Sequence, residues 1–407
     1  MEKNKLITLN SITLFIVFMI PMTFLSKSVM SVYLSLALLL ITTVINIKCS
    51  NDLSLKKSQL VLLFVFSAVT LILPLYDSYF FDNIRTTLLV LTSIILLYLC
   101  IGSQENRDLI INKTFKIFTF VTNVLVIYGL LLYIFGNKSI YYIDISSAEF
   151  YQSWNIAGLT LIQSACGDPS HGYYVGSLTN NPNALSYICI ISLIYAINFE
   201  EKKQRKIFQC LLLLVGILIS GSRLAKILFP IIIIARIIFA KTNIFKTRKR
   251  LLIYLAMFLI LLLLLINFNT IFNSIDYNGR LENWQIGFKN MSFIGHGINS
   301  DNIYLRNYLN HNASMHNSYI SLFVNYGWML ASVIVIFFIA TLAKMVNNYN
   351  NSKDNIFVII LFLTLLIVSL AESTFLVYGC FNYLFFYMIF YFYLEVKKHD
   401  NTIHTKL

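Results

Sequence analysis

The chain alternates long apolar runs with short polar connections along its 407 residues. Most runs approach the roughly 17 to 25 residues that an α-helix needs to cross a bilayer. About twelve spans are predicted: Leu6–Leu25, Val29–Ile47, Gln59–Tyr76, Asn83–Ile101, Ile117–Phe135, Asn183–Phe199, Ile207–Ser220, Leu224–Ala240, Leu251–Phe268, Ser318–Ala343, Ile356–Leu370 and Phe375–Leu394. The pattern indicates a single all-α polytopic membrane domain over residues 1–407. The short spans that flank Gly221 could instead form a re-entrant hairpin.

Composition agrees with this pattern, since 58% of the residues are hydrophobic and only 12% are charged. A soluble domain carries about a quarter charged residues. Backbone groups in lipid must pair within helices or closed barrels, and runs of this length favour helices.

The net charge of +13 reflects topology. Lys and Arg are retained on the cytoplasmic side of membrane proteins. With both termini cytoplasmic, 23 of the 31 basic residues fall on that side. The other eight are Lys27, Arg85, Lys138, Arg223, Lys226, Arg280, Lys289 and Arg306. Because no basic block is interleaved with aromatic residues, nucleic-acid binding is excluded.

This topology leaves two long connections on the outer side, residues 136–182 and 269–317. Inward connections are short and carry no nucleotide-binding motif, so any chemistry is expected outside the cytoplasm. The sequence after Asn278 has amphipathic helical spacing, which predicts that Leu281, Trp284, Ile286 and Phe288 lie on the membrane surface. In the first outward connection, aromatic residues could stack on sugar rings; they are Trp154, Tyr173 and Tyr174.

Four elements stand out, in this order: Asn180-Asn181-Pro182-Asn183; Ser220-Gly221-Ser222-Arg223; Gly279-Arg280-Leu281-Glu282-Asn283-Trp284 with Gly295-His296-Gly297; and His316-Asn317-Ser318-Tyr319 with Tyr326-Gly327-Trp328. Their order and spacing, across about residues 175 to 375, resemble the O-antigen polymerase and ligase superfamily of bacterial envelope biogenesis. Before Asn180 the resemblance is limited to a string of helices.

The resemblance implies a GT-C-like membrane glycosyltransferase in the bacterial inner membrane. Its substrates would be glycans on polyprenyl diphosphate, with a sugar hydroxyl on a second lipid-linked unit as the acceptor. A chain-length regulator protein is a further expected partner. The resemblance implies no cofactor.

A diphosphate leaving group requires fixed positive charge, and guanidinium adds bidentate geometry that ammonium lacks. Arg223 and Arg280 are therefore the diphosphate-binding candidates, with Lys226 and Arg306 as auxiliaries. The alternative for each arginine is that it snorkels to lipid headgroups.

Deprotonation of an acceptor hydroxyl calls for a base such as imidazole, and His316 is the candidate. A helix-cap or interfacial histidine is the structural alternative. His311 lies five positions earlier, a spacing that does not align side chains on one helical face, and no metal site is expected. The six cysteines form no CxxC pair, so neither zinc nor a disulfide framework is indicated.

Glu372 lies just beyond the outer end of the eleventh predicted span, where it could orient a histidine, pair with an arginine or cap the next helix. Asn181 and Pro182 predict a helix start. A substrate role for Asn183 rests on the resemblance alone.

Three functions fit these observations. Polymerisation of repeat units is favoured because the full set of elements and the Ile/Asn/Phe/Tyr-rich composition look like those of the polymerases. The first alternative is a ligase that transfers finished glycan to lipid A core. The second is a lipid-linked-oligosaccharide flippase or transporter, although ionisable residues cluster at helix ends and not near the midplane.

Overall fold

The computed structural model describes residues 3–19, 29–49, 92, 107–144, 149–156, 159–168, 172–179, 181–241, 280–297, 300–310, 314–347, 353–370 and 372. Four predicted spans lie outside these residues, apart from Thr92: Gln59–Tyr76, Asn83–Ile101, Leu251–Phe268 and Phe375–Leu394. The described residues form two compact units. The first runs to Ile233, and the second begins at Ile234.

Ten helices occur within the described residues: α1 Lys3–Met19, α2 Val29–Cys49, α3 Arg107–Phe135, α4 Pro182–Phe199, α5 Lys203–Ser220, α6 Arg223–Lys241, α7 Arg280–Lys289, α8 Ser300–Leu309, α9 Ser318–Asn347 and α10 Lys353–Val368. Eight of them coincide with predicted spans. Three contain stretches long and apolar enough to cross a membrane, at Leu109–Phe135, Pro182–Phe199 and Ser318–Ala340. The chain is thus a mostly helical membrane protein, and the number twelve stays a prediction.

The all-α prediction is wrong for the first long connection, predicted to face outward, which folds into a four-stranded sheet. Its strands are β1 Asn137–Asp144, β2 Glu149–Ile156, β3 Leu159–Asp168 and β4 Gly172–Ser177. They pair antiparallel in the order β1-β2-β3-β4. The strands are rich in aromatic and β-branched residues, which favour extended backbone. Hydropathy averaged over the length of a membrane-spanning helix does not detect strands this short.

The sheet packs against helices of the first unit. Ala165 of β3 and Val175 of β4 are buried with Ile219 of α5. The Ser177 hydroxyl donates to the Leu125 carbonyl of α3 at 2.7 Å, and the Tyr128 hydroxyl donates to the Ile162 carbonyl at 2.8 Å. These contacts fix β3 and β4 against the second half of α3 and the end of α5.

The predicted helix start at Asn181 and Pro182 is confirmed. Asn181 has extended backbone, and its side-chain oxygen accepts a hydrogen bond from the Ala184 amide at 2.8 Å. Pro182 is the first residue of α4. An asparagine cap followed by proline suits a helix start because proline lacks the amide hydrogen that the first turn leaves unpaired.

In the second unit, α7, α8 and α9 share a small apolar core. Its buried members are Ile286, Leu305, Met315, Ile320 and Val324, and Trp284 packs against them. The prediction that Ile286 lies on the membrane surface is therefore wrong, whereas for the partly buried Trp284 it stays a prediction. The face of α7 that carries Ile286 is covered by its neighbours, while Leu281 and Phe288 are exposed.

Helix α9 breaks at Gly327, where φ is 71° and ψ is 172°. Only glycine populates this region freely. The turn around Gly295 occupies the break: the His296 and Gly297 amides donate to the Asn325 carbonyl, at 3.2 and 3.0 Å. In return, the Trp328 amide donates to the Ser292 carbonyl at 2.9 Å. The backbone groups that the break frees are thus paired again.

The same break brings the two glycines into backbone contact. A Cβ on Gly327 would collide with backbone atoms of Gly295 and Ile294. A Cβ on Gly295 would lie 2.5 Å from the Gly327 nitrogen. The Gly-His-Gly and Tyr-Gly-Trp elements of the sequence are therefore two halves of one structural feature.

Asp301 is a buried acid between α8 and α9, with 1% of its surface exposed. Its amide donates to the Asn325 side-chain oxygen at 3.0 Å. Its carboxyl group lies near the side chains of Ser321 and Asn325, yet neither oxygen has a well-aligned hydrogen bond from any described residue. Burial raises the pKa of this carboxyl group above its ordinary value.

We expect Gly327→Ala to destabilise the purified protein by about 3 kcal/mol or more, because both the backbone conformation and the contact with Gly295 exclude a Cβ. Thermal unfolding in detergent measures the change. Gly129→Ala is the matched control, since the nearest atom to its new Cβ is 3.1 Å away and Gly129 lies within α3. Equal unfolding midpoints for the two variants would contradict the account of the break.

Asp301→Asn tests the buried acid. A raised folded-state pKa means that the protonated carboxyl stabilises the fold at low pH, and that this stability is lost as the pH rises through the folded-state pKa. The amide variant, which keeps the shape and cannot ionise, should unfold at a higher temperature than wild type at pH 8 and show a smaller difference at pH 5. Glu282→Gln, at an exposed acid, should change stability by no more than about 0.5 kcal/mol. An Asp301→Asn variant that is less stable than wild type at pH 8 would show that the carboxylate stabilises the fold.

Candidate active site

Three of the residues singled out in the sequence meet in the second unit. The Arg280 Nη2 atom lies 3.3 Å from Glu372 Oε1. His316 Nδ1 lies 3.1 Å from Glu372 Oε2. One carboxylate therefore bridges a guanidinium and an imidazole that are 36 positions apart in the chain. We call these three side chains the Arg-Glu-His cluster.

The segment before His316 is tied to α7 by two side-chain hydrogen bonds. The Asn283 amide donates to the Ser314 carbonyl, and the Trp284 indole donates to the Met315 carbonyl, both at 2.8 Å. Because Arg280 is the first residue of the same helix, α7 positions both Arg280 and the backbone that carries His316.

His316 itself has a left-handed backbone, with φ at 46°. The following residue, Asn317, caps α9: its side-chain oxygen accepts from the Tyr319 and Ile320 amides at 3.0 and 3.1 Å. A non-glycine residue at positive φ is uncommon and persists where its surroundings hold it. The sharp turn directs the His316 side chain to Glu372 while Asn317 starts the helix.

Glu372 is held by its backbone at the end of α10. Its amide donates to the Val368 carbonyl at 3.0 Å, and its carbonyl accepts from the Ser318 hydroxyl at 2.6 Å. The Ser318 amide also donates to the Ser369 carbonyl at 2.8 Å. The start of α9 and the end of α10 are thus joined directly beside the cluster.

Exposure differs across the cluster. The Glu372 side chain is 15% exposed, that of Arg280 28% and that of His316 37%. An ionised carboxylate only accepts hydrogen bonds, so a neutral His316 beside it places its hydrogen on Nδ1 and keeps the lone pair on Nε2. The cluster therefore holds a half-buried imidazole in the tautomer that a general base requires, next to a guanidinium.

Two further basic candidates, Arg223 and Lys226, lie in the first unit. Both are exposed on the first turn of α6. Lys226 Nζ lies 5.8 Å from the centre of the Tyr174 ring. Gly221, two residues before α6, adopts a left-handed conformation that ends α5. The Ser-Gly-Ser-Arg element is therefore a tight turn between two helices.

The remaining candidates have separate positions. Arg306 is exposed on α8, outside the Arg-Glu-His cluster. Asn183 is half-buried in the first turn of α4, where its carbonyl accepts from the Ser186 hydroxyl at 2.7 Å. Its substrate role stays a prediction. His311 lies outside the described residues.

Asn283 and Trp284 stand inside an element that the sequence singled out, but their role as anchors for the backbone before His316 was not foreseen. The sequence shows that an amide and an indole can donate hydrogen bonds, but it does not show which groups accept them. Ser318 was missed for the same reason. Its partner Glu372 is 54 positions away.

Within the described residues, no group of three or more His, Cys, Asp or Glu side chains could hold a metal ion. The metal-independent reaction stays a prediction from the sequence.

Comparison with known proteins adds one family. Residues 208–335 match the family model described as O-antigen ligase. The matched stretch includes Arg223, Arg280, Arg306 and His316, whereas Glu372 lies beyond it. None of the curated proteins matches the chain. The match is confined to residues 208–335, and it supports the resemblance to the O-antigen polymerase and ligase superfamily that the sequence shows.

Proposed function

We propose that the protein polymerises polyprenyl-diphosphate-linked repeat units into O-antigen or a related surface polysaccharide, on the outer side of the bacterial inner membrane. The Arg-Glu-His cluster is the observation that carries this proposal. It supplies a general base and a fixed positive charge within one site, which glycosyl transfer from a diphosphate requires.

In the proposed reaction, the acceptor hydroxyl attacks the anomeric carbon of the donor sugar. A new carbon–oxygen bond forms as the bond to the lipid diphosphate breaks, and the electron pair of that bond leaves with the diphosphate. Nε2 of His316 takes the proton of the hydroxyl. The resulting imidazolium lies 3.1 Å from Glu372, whose negative charge stabilises it.

Arg280 is proposed to bind the diphosphate. A guanidinium has five N–H donors, so its contact with Glu372 does not exhaust its hydrogen-bonding capacity. Glu372 would fix the guanidinium in place before the substrate arrives, which reduces the ordering needed on binding. Arg223 is the second proposed diphosphate ligand, on the sequence argument alone, with Lys226 and Arg306 as auxiliaries.

Ligase activity is the second candidate, because the matching family model is described as O-antigen ligase. Both reactions use the same donor and release the same leaving group, so the cluster serves either. Polymerisation is preferred on the ordered set of four sequence elements. A chain-length regulator as partner and cytoplasmic placement of both termini belong to this proposal too.

The deciding experiment is gel analysis of surface polysaccharide from a deletion strain that carries wild type or a variant, with the amount of each protein measured. A deletion strain whose ladder collapses to one repeat unit on its acceptor supports the polymerase. Loss of all attached glycan, with lipid-linked polymer accumulating, indicates the ligase. A ladder that the deletion leaves intact would contradict both.

His316→Gln should reduce glycan transfer by about 10²- to 10⁴-fold, the range in which a general base contributes. The ladder in the complemented strain and the transfer rate of purified protein measure this loss. His296→Gln is the matched control, since the His296 ring packs edge-on against Tyr304 at 5.1 Å, away from the cluster's hydrogen bonds. Wild-type transfer by His316→Gln would remove this residue from the mechanism.

Glu372→Gln should lower the turnover number by about 10- to 100-fold with little change in KM for the lipid-linked acceptor, because the charge that stabilises the imidazolium is lost. If Glu372 acts only through His316, the double variant Glu372→Gln/His316→Gln will be no slower than His316→Gln alone, whereas its contact with Arg280 would add a further loss. Additive losses would show that Glu372 acts independently of the histidine.

A further inference from the structure

An exposed tyrosine and two basic side chains lie beside the turn between α5 and α6 in the first unit. Tyr174, on β4, has 46% of its surface exposed. Lys226 Nζ lies 5.8 Å from its ring centre, within the range of a cation–π contact. Arg223, also exposed, is the first residue of α6. Aromatic and cationic groups therefore occupy one small surface.

The Tyr174 ring is held in place by the turn beneath it. Any Cβ on Gly221 would collide with the ring, so only glycine admits the ring at this distance. The next residue on β4, Val175, is buried against Ile219 of α5. Ser177 fixes the same strand to α3 through the Leu125 carbonyl. The ring is thus mounted on a rigid framework, as binding residues generally are.

We propose that Tyr174 is the sugar-stacking wall of a subsite for a glycosyl diphosphate lipid, in which Arg223 and Lys226 hold the phosphates. The sugar joined to the diphosphate lies on the aromatic ring, and the phosphate oxygens lie beside the two cations. This inference rests on the proposed function, because that function supplies the diphosphate. It adds the sugar to what the site recognises.

The geometry favours a sugar over the lipid headgroup region as the partner of this surface. Tyrosine, arginine and lysine all occur at membrane interfaces as simple anchors. An anchoring tyrosine needs no glycine beneath it, whereas Gly221 is required for the ring position seen here.

The test compares two probes on the full-length protein in detergent: farnesyl diphosphate and farnesyl diphospho-N-acetylglucosamine. Wild type should bind the glycosylated probe about three- to tenfold more tightly, the range of one aromatic contact. Tyr174→Leu should abolish this preference and leave the affinity for farnesyl diphosphate within about twofold. Tyr174→Phe, which keeps the ring, should retain the preference. Arg223→Gln should weaken both probes by the same factor.

Gly221→Ala displaces the ring without altering it chemically, and at φ 71° it also strains the turn itself, so the readout is the ratio of the two affinities. It should reduce the sugar preference in the wild-type background and have no further effect on the preference in the Tyr174→Leu background. Tyr308→Leu is the matched control, since Tyr308 is exposed on α8 and belongs to neither proposed site.

A preference that survives Tyr174→Leu, or a wild type that binds both probes equally, overturns the sugar subsite and leaves the proposed function standing. If Arg223→Gln binds both probes as tightly as wild type does, the α5–α6 turn is not a phosphate site. Failure of the proposed function has a different signature, an intact polysaccharide ladder in the deletion strain.

Discussion

A helix that breaks within an apolar segment must find new partners for the amides and carbonyls that it frees, because lipid offers none. In α9 the break falls at Gly327, and the turn from Ser292 to Gly297 supplies those partners. The second unit depends on this exchange. It fixes the turn against α9, and the turn joins α7 to α8, so the elements beside the candidate active site are built around the break.

The cluster shows how a few long-range contacts position chemistry on such a framework. Arg280 begins α7, His316 precedes α9 and Glu372 follows α10. Glu372 and the segment before His316 are held by contacts that do not involve the ionisable groups, and Arg280 is placed by the start of α7. The partly buried carboxylate is bound to both neighbours, and leaving such a group without a partner would destabilise the protein by several kcal/mol, as an order of magnitude. The arrangement is therefore both a structural junction and a chemically competent site.

In the first unit, a sheet pairs the backbone groups that would otherwise lack hydrogen-bond partners. A long connection between membrane helices has many backbone groups to pair, and four antiparallel strands pair them internally. Because β4 packs on α3 and α5, the sheet and the α5–α6 turn lie on the same side of these helices. The topology predicted from Lys and Arg also puts them on one side. Which side faces the cytoplasm remains a prediction from the positive-inside rule.

Hydropathy predicted eight helices that the structure describes, because the helical period and the length of an apolar run are local properties. The sheet was not predicted, because strands of six to ten residues are too short to be detected by hydropathy averaged over the length of a membrane span. The burial of Ile286 was not predicted either. An amphipathic pattern identifies an apolar face without saying whether lipid or protein covers it.

For the site, the sequence by itself determined which residue types were available and in what order, since base, guanidinium and acid belong to recognisable local elements. Only the tertiary structure decided that Glu372 bridges Arg280 and His316, that Asn283 and Trp284 hold the chain before His316, and that Gly295 meets Gly327. Each of these contacts joins positions about 30 to 90 residues apart. Contacts of that kind depend on how helices pack, and no local pattern encodes packing.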